Sequence, residues 1–213
     1  MKILIFSDSH LTHRFEPSKY KLLERIISEA DKVILNGDIW DGYLTSFGRF
    51  VESRWKGLFQ LLKSKQVVYL YGNHDSQDLS DGRVNLFSVY HGDRYSFRSG
   101  KINFKVEHGH NIYKLPDKDL PLFLVRIATR IYNFQKHNQF IFQREKLLEF
   151  FRNLNNIYKK AETKKGEFLI TGHSHGAEIS LKDNFANSGF IQWGLASYLI
   201  VEEGKISLRV EEY

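Results

Sequence analysis

The chain has 213 residues, with 31 Lys and Arg against 25 Asp and Glu for a formal net charge of +6, and 42% of its residues are hydrophobic. That length and balance suit one globular domain able to bury its own core, and the positive charge admits anionic partners without selecting nucleic acid, metabolite or lipid headgroup. The absence of cysteine excludes a disulfide framework, a thiol nucleophile and thiolate-bound zinc or iron–sulfur clusters, so any metal must be held by imidazole, carboxylate, amide or water.

Lys2–Phe6 reads as a short buried strand, too brief an apolar run for a signal peptide, and no stretch approaches the ~18 apolar residues of a membrane span. A cytoplasmic location is the expectation. Pro17 sits where a helix begins, and Tyr20, Leu22, Leu23, Ile26, Ile27 and Ala30 follow at helical spacing. Lys32–Leu35 is a second strand, running into Asn36-Gly37-Asp38. Phe47, Phe50, Val51, Trp55, Leu58, Phe59 and Leu62 predict a second amphipathic helix. Gln66–Leu70 is a third strand, ending at Gly72-Asn73-His74-Asp75. This strand–helix alternation means a parallel sheet, whose ligands bind beyond the carboxyl ends of the strands.

Arg94–Arg98 and Lys101–Glu107 predict a hairpin around Ser99-Gly100, its second strand running into His108-Gly109-His110. Residues 111–165 break the pattern and read as two helices, about 118–135 and 138–160. Glu167–Thr171 resumes the strands and ends at Gly172-His173-Ser174-His175. Short strands near 177–181, 197–202 and 205–211 close the chain.

Predicted strand ends therefore deliver Asp8 and His10, Asp38, Asn73, His108, and His173 with His175. All are oxygen or imidazole donors, as hard-to-borderline divalent metals require. The paired ligands two residues apart suit a fraying strand end, where alternate side chains turn to one side. Any one of these elements is weak alone; their joint placement at successive strand ends is not.

The order Asp8-x-His10, Gly37-Asp38, Gly72-Asn73-His74-Asp75, His108 and Gly172-His173-x-His175 resembles the calcineurin-like metallophosphoesterase superfamily, over residues 8 to 175. The resemblance implies an α/β fold, a four-layer αββα sandwich with two divalent ions between the sheets, the whole chain 1–213 forming one domain. It implies that Asp8, His10 and His175 hold the first ion, that Asn73, His108 and His173 hold the second, and that Asp38 bridges them. His74 would face the substrate phosphate and leaving group as a non-ligand, with Asp75 orienting it. The implied reaction is hydrolysis of a phosphomonoester, phosphodiester or pyrophosphate bond by metal-activated hydroxide, manganese being favoured over iron or zinc. His110 rivals His108 as a ligand; the family pattern uses the first histidine of His-Gly-His, which leaves His110 near the substrate. Asp41 is expected to support its loop by hydrogen bonding, and Asn187-Ser188-Gly189 to turn near the site and brace a ligating histidine.

Residues 111–165 hold 12 Lys or Arg and 5 Asp or Glu, so all of the chain's excess positive charge lies there. Placed directly after the His108 strand, this helical insertion should overhang the metals as a cap, with Arg126 and Arg130 binding substrate. Its layout is similar to the UDP-2,3-diacylglucosamine pyrophosphohydrolase branch, as are Asn-Gly-Asp-Ile-Trp-Asp and the late Asn-Ser-Gly, although that branch usually carries arginine at the position of His74 and aspartate at that of His110. Expected partners are an anionic, amphiphilic phosphate-containing substrate and, through the basic–apolar cap, the inner membrane face. No obligate protein partner is implied. A nuclease is the alternative enzyme, disfavoured because aromatic residues are no denser in the insertion than elsewhere. A non-catalytic scaffold of the same fold is the other alternative, opposed by the intact motif set.

Overall fold

The computed structural model describes residues 1–112, 122–160 and 166–213. The outermost parts of the predicted insertion, 113–121 and 161–165, lie outside the described residues. In chain order the elements begin β1 (Lys2–Phe6), α1 (Pro17–Ser28), β2 (Lys32–Asn36), α2 (Phe47–Val51), α3 (Phe59–Ser64), β3 (Val68–Leu70), β4 (Tyr90–Gly92), β5 (Arg94–Ser99) and β6 (Ile102–Glu107). They continue with α4 (Leu122–Tyr158), β7 (Glu167–Thr171), β8 (Glu178–Ser180), β9 (Phe185–Asn187), β10 (Ile191–Gln192), β11 (Leu195–Glu202) and β12 (Lys205–Glu212).

One sheet runs β10-β11-β1-β2-β3-β4, with β12 also paired to β11; the second runs β5-β6-β7-β9-β8. β1, β2 and β3 are mutually parallel, as the strand–helix alternation predicts, and β4 joins β3 in the same sense. Alternation along each strand then builds two cores. Ile3, Ile5, Ile34, Val68 and Leu70 face Phe104, Val106, Phe168 and Ile170 of the second sheet. Leu4, Phe6, Val33 and Leu35 face the opposite way, against Leu22, Leu23, Ile26 and Ile27 of α1. A strand buried on both faces reads as a continuous apolar run, which is why β1 is visible in the sequence. With Tyr158 of α4 packed on Leu169 and Phe185 across the outer face of the second sheet, the layers are helix, sheet, sheet, helix.

Three local expectations are corrected. The helix predicted through 47–62 is broken into α2, a 3₁₀ turn at Arg54–Leu58 and α3. Ser53 causes the break: its hydroxyl donates to the Phe50 carbonyl at 2.6 Å and accepts the Trp55 N–H, bonds that compete with continuing helix. The hairpin turn is Gly100-Lys101 rather than Ser99-Gly100, because Gly100 takes the left-handed conformation (φ +56). The two helices predicted in the insertion are present, running together as α4, but they break at Gln143 (φ −143, ψ 42) and not near 136–137. No glycine or proline lies between 122 and 165 to end a helix earlier. On the far side of Gln143, Leu147 and Phe151 pack with Phe140, Phe190 and Leu195. Among the described residues, no helix is long and apolar enough to cross a membrane.

Candidate metal centre

The chemistry-bearing loops follow β1, β2, β3, β6 and β7, where the two sheets meet at their carboxyl ends. The space between the sheet faces is filled by the aliphatic core, so the cluster sits past the strand ends rather than between the sheets. The strand-end geometry is also not the expected extended one. Asp8, His10, Asp38, His173 and His175 all have φ between +44° and +62°. Non-glycine residues avoid that region, and its concentration here is strain held at one site by surrounding hydrogen bonds. Asp8 and His10 donate backbone N–H groups to the carbonyls of Gly37 and Asp38, which zips the first two loops together.

Each aspartate is tethered by one oxygen and presents the other. Asp8 Oδ2 accepts the His173 N–H at 3.0 Å, leaving Oδ1 3.2 Å from His175 Nε2. Asp38 Oδ1 accepts the His74 N–H at 2.8 Å, leaving Oδ2 3.2 Å from His108 Nε2 and 3.8 Å from His10 Nε2. Ligand atoms of Asp8, His10 and His175 lie within 4.8 Å of one another, as do those of Asp38, His108 and His173. Asp8 Oδ1, His10 Nε2, Asn73 Oδ1 and His108 Nε2 are buried with no hydrogen-bond partner. Orphaned buried polar atoms are costly; convergent orphans of this donor chemistry fit divalent cations.

A backbone acceptor fixes one of the imidazoles. His108 Nδ1 donates to the Asn36 carbonyl at 2.8 Å, which turns Nε2 towards Asp38 as the atom an ion would take once its proton is lost. Burial alone would hold His108 neutral, but the Asp38 and Asp8 carboxylates beside it push its pKa up to about 10. Against its own burial, Asp38 is in turn held well below the usual carboxylate range by His108 and His74. His173 is pushed the other way, to about 3, by burial and then by its neighbour His108.

Asp41 does more than support its loop. Its Oδ1 accepts the N–H groups of Tyr43 and Leu44, as expected, and it also lies 3.3 Å from His74 Nδ1. Asp41 Oδ2 lies 3.4 Å from His10 Nδ1. Despite the burial, Asp38 and Asp41 raise the His74 pKa to about 9. Asp75 was expected to orient His74, and here the structure differs. Both Asp75 oxygens are occupied by backbone N–H groups of Asp38, Ile39 and Gly72 at 2.7–2.9 Å. Asp75 therefore ties the second loop to the third, and Asp41 is the carboxylate against His74. Tyr43 adds a second wall: its ring centre lies 4.5 Å from that of His74, and its hydroxyl donates to the Asn73 carbonyl.

Asn187 closes β9 and braces the fifth loop, with its amide within 2.8–3.2 Å of the Gly172 carbonyl, the Ser174 hydroxyl and Asn155 Oδ1. Asn155, a residue the sequence did not single out, donates from α4 to the Gly176 carbonyl and accepts from the Ser174 hydroxyl, both at 2.7 Å. Glycine is required where the loops crowd. A Cβ at Gly72 would run into the Asp38 carboxylate, and one at Gly37 would come within 2.5 Å of the His108 ring.

Above the cluster lies a cavity of about 480 Å³. His10, Asp38, Asn73, His74, His173 and His175 line its floor. Val125, Thr129, Tyr132 and Lys136 from the first part of α4, with Phe150 and Leu154 from the second, line its roof. The structure does not bring Arg126 and Arg130 to this cavity. Both are exposed; Arg126 falls on the flank of the helix and Arg130 further round, towards the exposed Phe123, Ile127, Ile131 and Phe134. His110 lies beside the cluster, its ring centre 5.6 Å from that of His108 and its Nδ1 unpartnered, but outside the ligand groups and the cavity lining.

A family model described as calcineurin-like phosphoesterase matches residues 1–187. No curated protein matches the sequence. Among solved structures the chain is similar to wild-type Vps29 complexed with Zn²⁺ from Entamoeba histolytica, at 17% identity and a TM-score of 0.49, over 100% of this chain and 98% of that one. It is similar to YfcE, a phosphoesterase from E. coli, at 17% identity and a TM-score of 0.49, over 97% of this chain and 91% of that one. A predicted phosphoesterase from Streptococcus pneumoniae is 16% identical with a TM-score of 0.45, over 99% of this chain and 88% of that one.

Proposed function

This chain belongs to the calcineurin-like phosphoesterase family, and we propose that it is a hydrolase dependent on two divalent cations, cleaving a phosphomonoester, phosphodiester or pyrophosphate bond in an amphiphilic substrate. One observation carries the reading: metal-type donor side chains from five strand-end loops, several of them buried without a hydrogen-bond partner, gather at the floor of a cavity roofed mainly by apolar side chains. Asp8, His10 and His175 would hold one ion, Asn73, His108 and His173 the other, and Asp38 would serve both. Such ions, when bound, neutralise charge on phosphoryl oxygens and lower the pKa of bound water. Manganese or iron suits the thiolate-free donor set better than zinc.

The chain's own groups supply the rest. In the metal-free protein Asp38 and Asp41, against burial, raise the His74 pKa to about 9; Asp41, which is outside the proposed ligand set, stays beside it, and His74 lines the cavity. It is therefore placed to stabilise charge on the phosphoryl group or to give its Nε2 proton to the leaving oxygen. Asp41 keeps that imidazole in position and keeps His10 Nδ1 turned away from the ion. Segment 111–165 acts as the cap. Its roof is mainly apolar, which suits a lipid-like or nucleotide-linked leaving group better than a polynucleotide backbone, and the similarity in layout to the UDP-2,3-diacylglucosamine pyrophosphohydrolase branch points the same way. The exposed surface of α4, with Arg126 and Arg130 flanking Phe123, Ile127, Ile131 and Phe134, has the character of a helix lying on an anionic membrane face.

The test is hydrolysis by metal-stripped and manganese-reconstituted protein of an aryl phosphate, a bis-aryl phosphate, a pyrophosphate-linked nucleotide and a short oligonucleotide. The reading expects metal-dependent turnover of at least one small phosphoester and poor turnover of the oligonucleotide. A folded, two-ion protein that cleaves none of them overturns it.

A further inference from the structure

The roof of the cavity contains one basic side chain, Lys136. Its surroundings are unusual for a lysine. Nζ lies 5.0 Å from the centre of the Phe150 ring, 5.4 Å from that of Tyr132 and 5.8 Å from that of Phe151. Its hydrogen-bond partner is the neutral Gln139 Oε1 at 3.1 Å, and no carboxylate lies within ion-pair distance of it among the described residues. Aromatic faces hold a cation in place but neutralise little of its charge. Burial lowers the Lys136 pKa, as expected for an ammonium still short of an anion.

One ring lies next to both Lys136 and the floor. Phe151, 5.8 Å from Lys136 Nζ, has its ring centre 5.2 Å from that of His175. Lys136 in the roof and the candidate metal ligands of the floor thus line one cavity, with the Phe151 ring packed against both.

We propose that Lys136 is the specificity-determining residue of the cavity, and that the substrate carries a second anionic group, a carboxylate or phosphate, one short apolar spacer away from the phosphoryl group held on the floor. This rests on the phosphoesterase reading and narrows it: the substrate is amphiphilic in its middle and anionic at both ends. A partly buried charge-assisted bond of this kind is worth about 10- to 100-fold in affinity.

The experiment compares alkyl phosphates with ω-carboxyalkyl phosphates of equal chain length, from four to ten carbons, using manganese-reconstituted wild type, Lys136→Met and Lys136→Arg. The proposal expects the terminal carboxylate to raise kcat/KM about 10- to 100-fold at one or two chain lengths, mainly through KM. It expects that ratio to collapse towards one in Lys136→Met and to be largely kept in Lys136→Arg. A wild type indifferent to the carboxylate at every length overturns the proposal, as does a Lys136→Met protein that keeps the ratio. If neither series is hydrolysed, the phosphoesterase reading fails. Calorimetric binding of the matching ω-carboxyalkyl phosphonates then decides for Lys136: a carboxylate-dependent affinity lost in Lys136→Met supports it, and equal affinity in both proteins overturns it.

Discussion

Asp41 Oδ1 stands 3.3 Å from His74 Nδ1, and the other oxygen of the same carboxylate stands 3.4 Å from Nδ1 of His10. One buried side chain thus steers both the proton-bearing histidine and a candidate metal ligand, leaving the Nε2 atom of each for chemistry. The ring centres of His10 and His74 are only 4.5 Å apart, nearly perpendicular, so neither can turn without disturbing the other. Asp41→Asn should therefore lower turnover and weaken metal binding together, by about 10- to 100-fold in affinity. Metal titration alongside steady-state kinetics checks this; a fall in turnover with metal affinity untouched would leave His10 independent of Asp41.

His74→Ala separates proton transfer from metal binding. Metal content should stay at the wild-type value while turnover falls about 10²- to 10⁴-fold. Elemental analysis of the purified variant shows whether the ion is kept, and loss of an ion would make His74 a ligand.

His108 and His110 make a matched pair. His108→Ala should lose the ion shared with Asn73 and His173, because its Nε2 faces Asp38 and its Nδ1 is committed to the Asn36 carbonyl. His110→Ala should keep it. The opposite pattern in a manganese titration would exchange their roles.

Metal binding should strengthen as pH rises. In the metal-free protein the Asp38 and Asp8 carboxylates, working against burial, hold the His108 pKa at about 10, and an ion at Nε2 must expel that proton. Because this pKa is raised above the unfolded value of about 6.5, the proton stabilises the metal-free fold fully below about pH 6.5 and is lost as pH climbs towards 10. Calorimetry in buffers of different ionisation enthalpy should show protons released on manganese binding between pH 6 and 8. An uptake of protons would contradict it.

Much of this was legible in the sequence where burial on both faces forces a continuous apolar run. β1 and β7 begin and end where the pattern places them, and each ends at a candidate ligand pair. What the sequence hides is the left-handed backbone of Asp8, His10, Asp38, His173 and His175, since residue type alone does not announce a strained φ. The short strands β4 and β9 were also hidden: two or three residues carry no period, and β9 is fixed by pairing with β7. The outward placement of Arg126 and Arg130 and the inward placement of Lys136 follow from helix phase. Residues 125, 129, 132 and 136 share a side, and that side can be chosen only once the cavity is known. Asn155 gave no signal because its partners, Gly176 and Ser174, lie about twenty residues away across the loop.

Asn155→Ala tests that cross-link. The side chain is fully buried and bonds the loop that carries His173 and His175. Its loss strands the Gly176 carbonyl and the Ser174 hydroxyl, at a cost of about 1–3 kcal/mol. Denaturant unfolding should register that loss, and manganese affinity should fall with it. Unchanged stability would mean that water replaces the amide.

Two ions share one cluster in the proposed centre, so the most direct measurement counts them. Native mass spectrometry of the manganese-reconstituted chain should show two ions bound in the wild type, and both lost or strongly weakened in Asp38→Asn, since only a shared ligand serves both positions. A folded wild type that saturates at a single ion, or an Asp38→Asn variant that binds two as tightly as wild type, would contradict the two-metal centre.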